Sequence, residues 1–380
     1  MTYWGRLPSG TRCFSFALLL MLLWSDRNSN GQSPLRNINE PEIAASQTAN
    51  PGSPEARRKY AGLEAPAQQP STLAKAKSLL DEGKLNEAEL AVRQYLVQYP
   101  NSGDAHFLLG YVLFRLIQAQ ALSAAGLDAA SPYGADVSDT KFRDAKAKES
   151  LAAYTAGAKY QSPSALDLKI VALDYVLLQN YTDADKWLTK SLEWNPRDAE
   201  GWYYLGRTKY NENRFEEAIN AFEQCLKLDP GNVKAEDNLG LSYAGLGRTE
   251  EAINAYKKAM DWQTQVANKN PGPFIDLGSL LLEQNQAENA VAYLLQAVEI
   301  APREFSAHEQ LGKAYSHLNQ LQKAQSELEK AVELAPQIAR LHFLLGQVYR
   351  RQGLIDKARA ELDRFAKLNG AHSLPVDPER

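Results

Sequence analysis

Between residues 202 and 226 apolar side chains return at helical intervals, and a polar run interrupts them once. Trp202, Leu205, Tyr210, Phe215, Ala218, Ile219, Phe222 and Leu226 mostly recur at spacings of three, four and seven, which places them on one face of a helix. The polar run Asn211 to Arg214 breaks the stripe, and Pro230 with Gly231 closes the second half. The pattern therefore predicts a helix, a tight turn and an antiparallel helix. It then returns at 34-residue steps: Gly206 to Gly240; Gly278 to Gly312 to Gly346; Ala218 to Ala252; Ala290 to Ala324 to Ala358. A period of that length signals stacked supersecondary units, none of which can bury its apolar face alone. The small residues fall where the two backbones of a pair must approach closely.

These positions resemble the tetratricopeptide repeat family, whose signature combines W-x2-L-G-x2-Y, A-x3-F and a closing proline. The resemblance covers about 71–368 and implies an all-α, right-handed superhelical solenoid of antiparallel helix pairs, about eight repeats long. The first copy is degenerate, with Ala76, Ala88 and Pro100, and the second starts at Leu109 and Gly110. In the fifth copy Thr264 replaces the proline, and four extra residues precede the sixth.

The second copy departs most. Gly110 and Ala172 are 62 residues apart, 28 beyond one period, and the excess falls between its two helices. Helix-favouring residues fill both flanks, and Ser131 to Gly134 read as a turn. Two readings fit: a hairpin projecting past the array edge, with about 119–144 as its tip, or a disordered insertion.

The ends differ from the array. Arg6 and Arg12 precede an apolar run from Cys13 to Trp24, with small residues at Ser29 and Gly31. Residues 1–31 therefore read as a signal peptide or, if uncleaved, a membrane anchor, so the protein is expected to be exported, periplasmic or secreted. Residues 32–70 are rich in Pro, Ala, Asn, Gln and Ser and read as a disordered linker; 369–380 read as a flexible tail. A cleaved chain keeps one cysteine, Cys225, so no internal disulfide is expected. The net charge of −4 and a pI near 5.9 give no basic excess for nucleic acid.

Residues that could carry chemistry are absorbed by the repeat. The periodic glycines form no phosphate-binding loop, and no cofactor motif occurs. His106, His308 and His342 occupy the place of Trp202 in separate repeats, with no H-E-x-x-H or paired cysteines, so no metal site is expected. Paired acids such as Glu216 and Glu217 open second helices, where they suit the helix dipole. No nucleophile, base and orienting group stand together, so no enzyme is expected.

Binding is the remaining function. The resemblance implies a concave groove lined by first helices, presenting Phe107, Tyr111 and Phe114 in the second copy, Leu173 in the third, and Tyr203 and Arg207 in the fourth. Asp237, Ile275, Glu309, Lys313, Phe343 and Arg350 follow, so the groove is expected to start apolar and end polar. The apolar end either holds a partner segment or is buried by the hairpin itself. Lys169 lacks the companion Asn expected for carboxylate clamping, since Leu173 stands there. The expected partner is a protein or peptide, with membrane contact only through an uncleaved N-terminal segment.

Overall fold

The computed structural model describes residues 70–127, 137–264 and 269–370. The expected signal segment, nearly all of the linker, the middle of the hairpin tip and most of the tail lie outside these residues. Within them the chain is all-helical, with sixteen helices in eight consecutive pairs. They are α1 Pro70–Asp81 with α2 Leu85–Gln98, α3 Gly103–Leu127 with α4 Val137–Gly157, α5 Ala165–Leu177 with α6 Tyr181–Trp194, and α7 Ala199–Asn211 with α8 Phe215–Leu228. The remaining pairs are α9 Val233–Gly245 with α10 Thr249–Trp262, α11 Gly272–Glu283 with α12 Ala287–Ile300, α13 Phe305–His317 with α14 Leu321–Leu334, and α15 Ala339–Arg351 with α16 Ile355–Leu368.

The turn inside a pair has a repeated cause. Gly83, Gln179, Asn213, Gly247, Asn285, Asn319 and Gly353 hold the same repeat position and all have φ between 57° and 78°. A left-handed residue there lets the helix end in a Schellman-type turn, as when Arg214 N donates to Lys209 O at 2.9 Å. Several first helices begin on side-chain caps: Asp198 accepts from Gly201 N at 3.0 Å and Asn232 from Ala235 N at 2.9 Å.

In the six pairs whose first helix carries the repeat glycine, that glycine lies under a large side chain of the second helix. A Cβ on Gly206 would stand 2.6 Å from the Phe222 ring, and one on Gly240 2.6 Å from Tyr256. Leu294 and Leu328 crowd Gly278 and Gly312 equally closely. Ala218, Ala252, Ala290 and Ala324 are fully buried, and Ala358 nearly so. The small positions read from the sequence are therefore the points of closest approach.

The enlarged second pair keeps this register. Its helices are 25 and 21 residues long, against 13 and 14 in α7 and α8. Tyr154 lies over Gly110, and fully buried Ser150, at the place of Ala218, donates its Oγ–H to Gly110 O at 3.0 Å. The smaller insertion is fastened at its base, where Gln263 donates through Nε2 to Asn270 O and accepts Asn270 N on Oε1 at 2.6 Å.

Each first helix also packs on the first helix of the next repeat, all along the array from α1 to α15. Second helices of neighbouring repeats approach one another far less. The stack therefore curves with its first helices inside, and their exposed positions form the inner face.

Candidate functional site: the inner face of the first helices

The N-terminal part of this face is closed. Phe107, Phe114, Leu173 and Tyr203 are all less than 8% exposed. Phe107 stacks on Tyr154 with ring centroids 5.9 Å apart and lies against Gly157, so α4 covers it. Of the two readings of the apolar end, burial within the protein fits Phe107, Phe114 and Leu173, with Phe107 held against α4. Tyr111 stays half-buried, with Arg115 Nη1 donating to its hydroxyl at 3.4 Å.

Further along, charge takes over, in an order set by the repeat. Lys169 of α5 reaches Glu200 of α7 at 3.0 Å and Asp198 at 2.8 Å. Glu309 of α13, 1% exposed, is gripped by Arg340 of α15, whose Nε and Nη2 donate to both its oxygens at 2.9 to 3.1 Å, and by Lys313 at 2.9 Å. Burial pushes the Glu309 carboxyl up, but Arg340 and Lys313 outweigh it and hold the group below the usual carboxylate range. Both pairs join the same two places: a residue three before the small residue of one repeat, Ala172 or Gly312, and a residue six before the glycine of the next.

Between these pairs lies a mixed stretch. Arg207 is 9% exposed and lies over the Tyr203 ring at 5.8 Å. Burial, reinforced by Arg207, lowers the Lys234 ammonium to about 8. Asp237 is 3% exposed, and one of its oxygens, Oδ1, has no hydrogen-bond partner. Half-buried Asp276 of α11 raises Asp237 further, in addition to burial, while Arg207 draws it down. At the C-terminal end Phe343 is 38% exposed and tilts on Phe365 at 5.2 Å, and Arg350 is exposed. An exposed aromatic and an exposed cation thus meet at this end of the face. Sequence reasoning missed Lys234, Gly272, Asp276 and Arg340; the first, second and fourth sit three positions before residues it had placed on the groove.

The tryptophan-position residues are structural. Trp202 Nε1 donates to Pro196 O at 2.9 Å, and His106, His308 and His342 bond through Nε2 to Pro100, Pro302 and Pro336 carbonyls at 2.8, 3.0 and 2.8 Å. Each ring ties its helix to the loop six residues back. Among the described residues no group of His, Cys, Asp and Glu could hold a metal ion, and no helix is long and apolar enough to cross a membrane. Cys225 is fully buried and its thiol is pushed up to about 12, chiefly by burial, which keeps it unreactive. A cleft of about 520 Å³ lies off the inner face between α8, α9 and α10, and the Lys258 to Glu236 bridge at 3.0 Å spans two of its lining residues.

Comparison with known proteins agrees with this geometry. Three models described as tetratricopeptide repeat match residues 199–232, residues 233–303, and residues 73–134 with 309–372. A peroxisomal targeting signal receptor of Saccharomyces cerevisiae is 33% identical over 141 residues, 36% of this chain and 22% of the receptor. The human PEX5-related protein is 42% identical over 53 residues, 14% of this chain and 8% of that protein. The human protein O-mannosyl-transferase TMTC3 is 27% identical over 123 residues, 30% and 13% of the two chains. The matched segments thus span under a quarter of each of these relatives. Among solved structures, YrrB, a TPR protein with an unusual peptide-binding site, shares 25% identity at a TM-score of 0.38 over 49% of this chain and 93% of its own. PilW, a type IV pilus biogenesis factor, shares 18% at 0.49 over 55% and 95%.

Proposed function

The chain belongs to the tetratricopeptide repeat family, and we propose that it is a non-enzymatic scaffold that binds a segment of a protein partner along the inner face of its first helices. The observation that carries this reading is the continuous run of first helices, each packed on the next, with charged groups ordered along it. Such repeats mediate protein–protein interaction, and partners of this kind are held by buried anchors and oriented by charge. The name of the yeast relative, a receptor for a targeting signal, agrees with a peptide-like ligand. Because Phe107, Phe114, Leu173 and Tyr203 are buried, the open part of the surface lies toward Phe343 and Arg350.

We place this scaffold in an exported compartment, on the strength of Arg6, Arg12 and the apolar run at 13–24. The same run, if retained, makes the protein a membrane-anchored assembly factor of an envelope or secretion complex. N-terminal sequencing of the mature protein separates the two, since an intact Met1 contradicts cleavage. Groove binding is tested by Arg350→Glu and Phe343→Ala, both at exposed positions. Partner retention should fall in each without loss of helix content, and unchanged retention in both removes this end of the face from the function.

A further inference from the structure

Two junctions of the inner face, third to fourth and seventh to eighth repeat, carry an ion pair at matching places, and at the fifth-to-sixth junction an acid stands there without its cation. Glu309 of the seventh repeat receives two cations: Arg340, six residues before Gly346 of the next repeat, and Lys313, four residues on along its own helix. Asp237 of the fifth repeat holds the place of Glu309, three residues before its own glycine, Gly240. The residues at the two cation places are here Gly272, six before Gly278, and Leu241. The carboxylate position is kept and both of its cations are replaced by residues without charge.

The packing leaves the acid buried and incompletely partnered. Asp237 is 97% buried with Oδ1 unpartnered, although a buried carboxyl is costly without a partner. Its Oδ2 stands 2.7 Å from where a Cβ of Gly272 would be, so the absent side chain at 272 borders the acid directly. One turn along α11 from Gly272, half-buried Asp276 adds a second carboxyl beside Asp237. Arg207 of α7 attracts Asp237 from the preceding repeat, and the buried Tyr256 of α10 faces both acids. Asn270 holds Gly272 N at 2.9 Å through Oδ1, so the four-residue insertion fixes the start of α11 at this place.

We propose that Asp276 and Asp237 form a receptor for a cationic side chain, an arginine or lysine of the bound protein segment, which takes at this junction the place that Arg340 takes on Glu309. The inference rests on the groove-binding reading above and adds the chemistry of one ligand residue. Burial raises the Asp276 carboxyl to about 7. An arriving guanidinium therefore favours loss of a proton from the pair, as Arg340 and Lys313 hold Glu309 ionised.

The test uses the full chain with labelled aspartate carboxyl carbons and two capped tripeptides, Gly-Arg-Gly and its uncharged citrulline analogue, followed by carbon NMR. The arginine peptide should lower the Asp276 titration midpoint by about 1–3 pH units, and the citrulline peptide should not. Leu241→Lys, which recreates the Lys313 contact, should lower the midpoint without peptide and abolish the response to arginine. An unmoved midpoint with the arginine peptide, or an undiminished response in Leu241→Lys, overturns the proposal. If the arginine peptide leaves Asp276 alone but shifts backbone signals around Lys313 and Phe343, groove binding stands and the cation receptor falls.

Discussion

Tyr154 closes over Gly110 across 44 residues of chain, with its ring 2.6 Å from the point a Cβ on that glycine would occupy. In the fourth repeat the same contact joins Gly206 and Phe222, which are 16 residues apart. The 28 inserted residues therefore lengthen the pair without moving its glycine contact out of register.

Gly110→Ala should destabilise the protein, because the ring it meets is buried and boxed in. Overpacking of this kind costs about 1–3 kcal/mol, more than the roughly 1 kcal/mol that alanine gains over glycine in a helix. Gly346→Ala is the contrast: its nearest neighbours are Cγ and Cδ2 of half-buried Leu362 at 3.1 and 3.2 Å, which can rotate away. Denaturant unfolding should show a loss for the first and no loss for the second, and equal losses would contradict the packing argument.

The period made this much of the fold legible. Glycine, alanine and large residue recur at fixed offsets, because the close approach of two helices leaves little choice of side chain. The fate of Phe107 was not legible. Its position says inner face, but what covers it is Tyr154 and Gly157, reached only after an insertion whose internal register nothing local announces. The receptor junction was half visible: Asp237 stood in the groove row, whereas its deficit appears only on comparing Glu309, Arg340 and Lys313 across two repeats. The histidines were readable as stand-ins for Trp202, and their proline carbonyl partners explain the substitution.

Gln179 has φ 59°, where its counterparts are Asn or Gly. A side chain without the local bonding of asparagine is strained there, so Gln179→Gly should stabilise the array by about 0.5–1 kcal/mol. A raised urea midpoint checks this; a lowered one would show that the side chain holds something the turn geometry does not require.

Asp174 of α5 is fully buried, with no hydrogen-bond partner on either oxygen. Burial, the larger effect, drives its carboxyl well above the usual range, while Ser150, whose hydroxyl bonds Gly110 O, pulls the other way. The folded state thus holds a proton the unfolded chain releases near pH 4, and stability falls as pH rises from about 3.9 toward the raised folded value. Asp174→Asn should remove that fall, with a gain on the order of 1 kcal/mol at pH 8 and little at pH 4. Parallel stability curves for the two proteins would rule out an ionisable Asp174 as the cause.

His308 has the opposite chemistry and the same sign. Burial disfavours its charge, but Glu327 Oε2 at 2.7 Å from Nδ1 and the Pro302 carbonyl at Nε2 win, so its pKa is raised. Its contribution is fully present below about pH 6.5 and is lost as pH rises through the higher folded value. Glu327→Gln should flatten this dependence in thermal unfolding between pH 6 and 8. An unchanged slope would show that the pair does not govern the charge of the ring.

The most direct test of inner-face binding is photocrosslinking with benzoylphenylalanine placed singly at Phe343 and Gln347 on the first helix α15, and at Leu228 and Leu295, exposed on the second helices α8 and α12. With a partner that copurifies with the full chain, adducts are expected at 343 and 347 and not at 228 and 295. Adducts confined to the second helices would contradict the account.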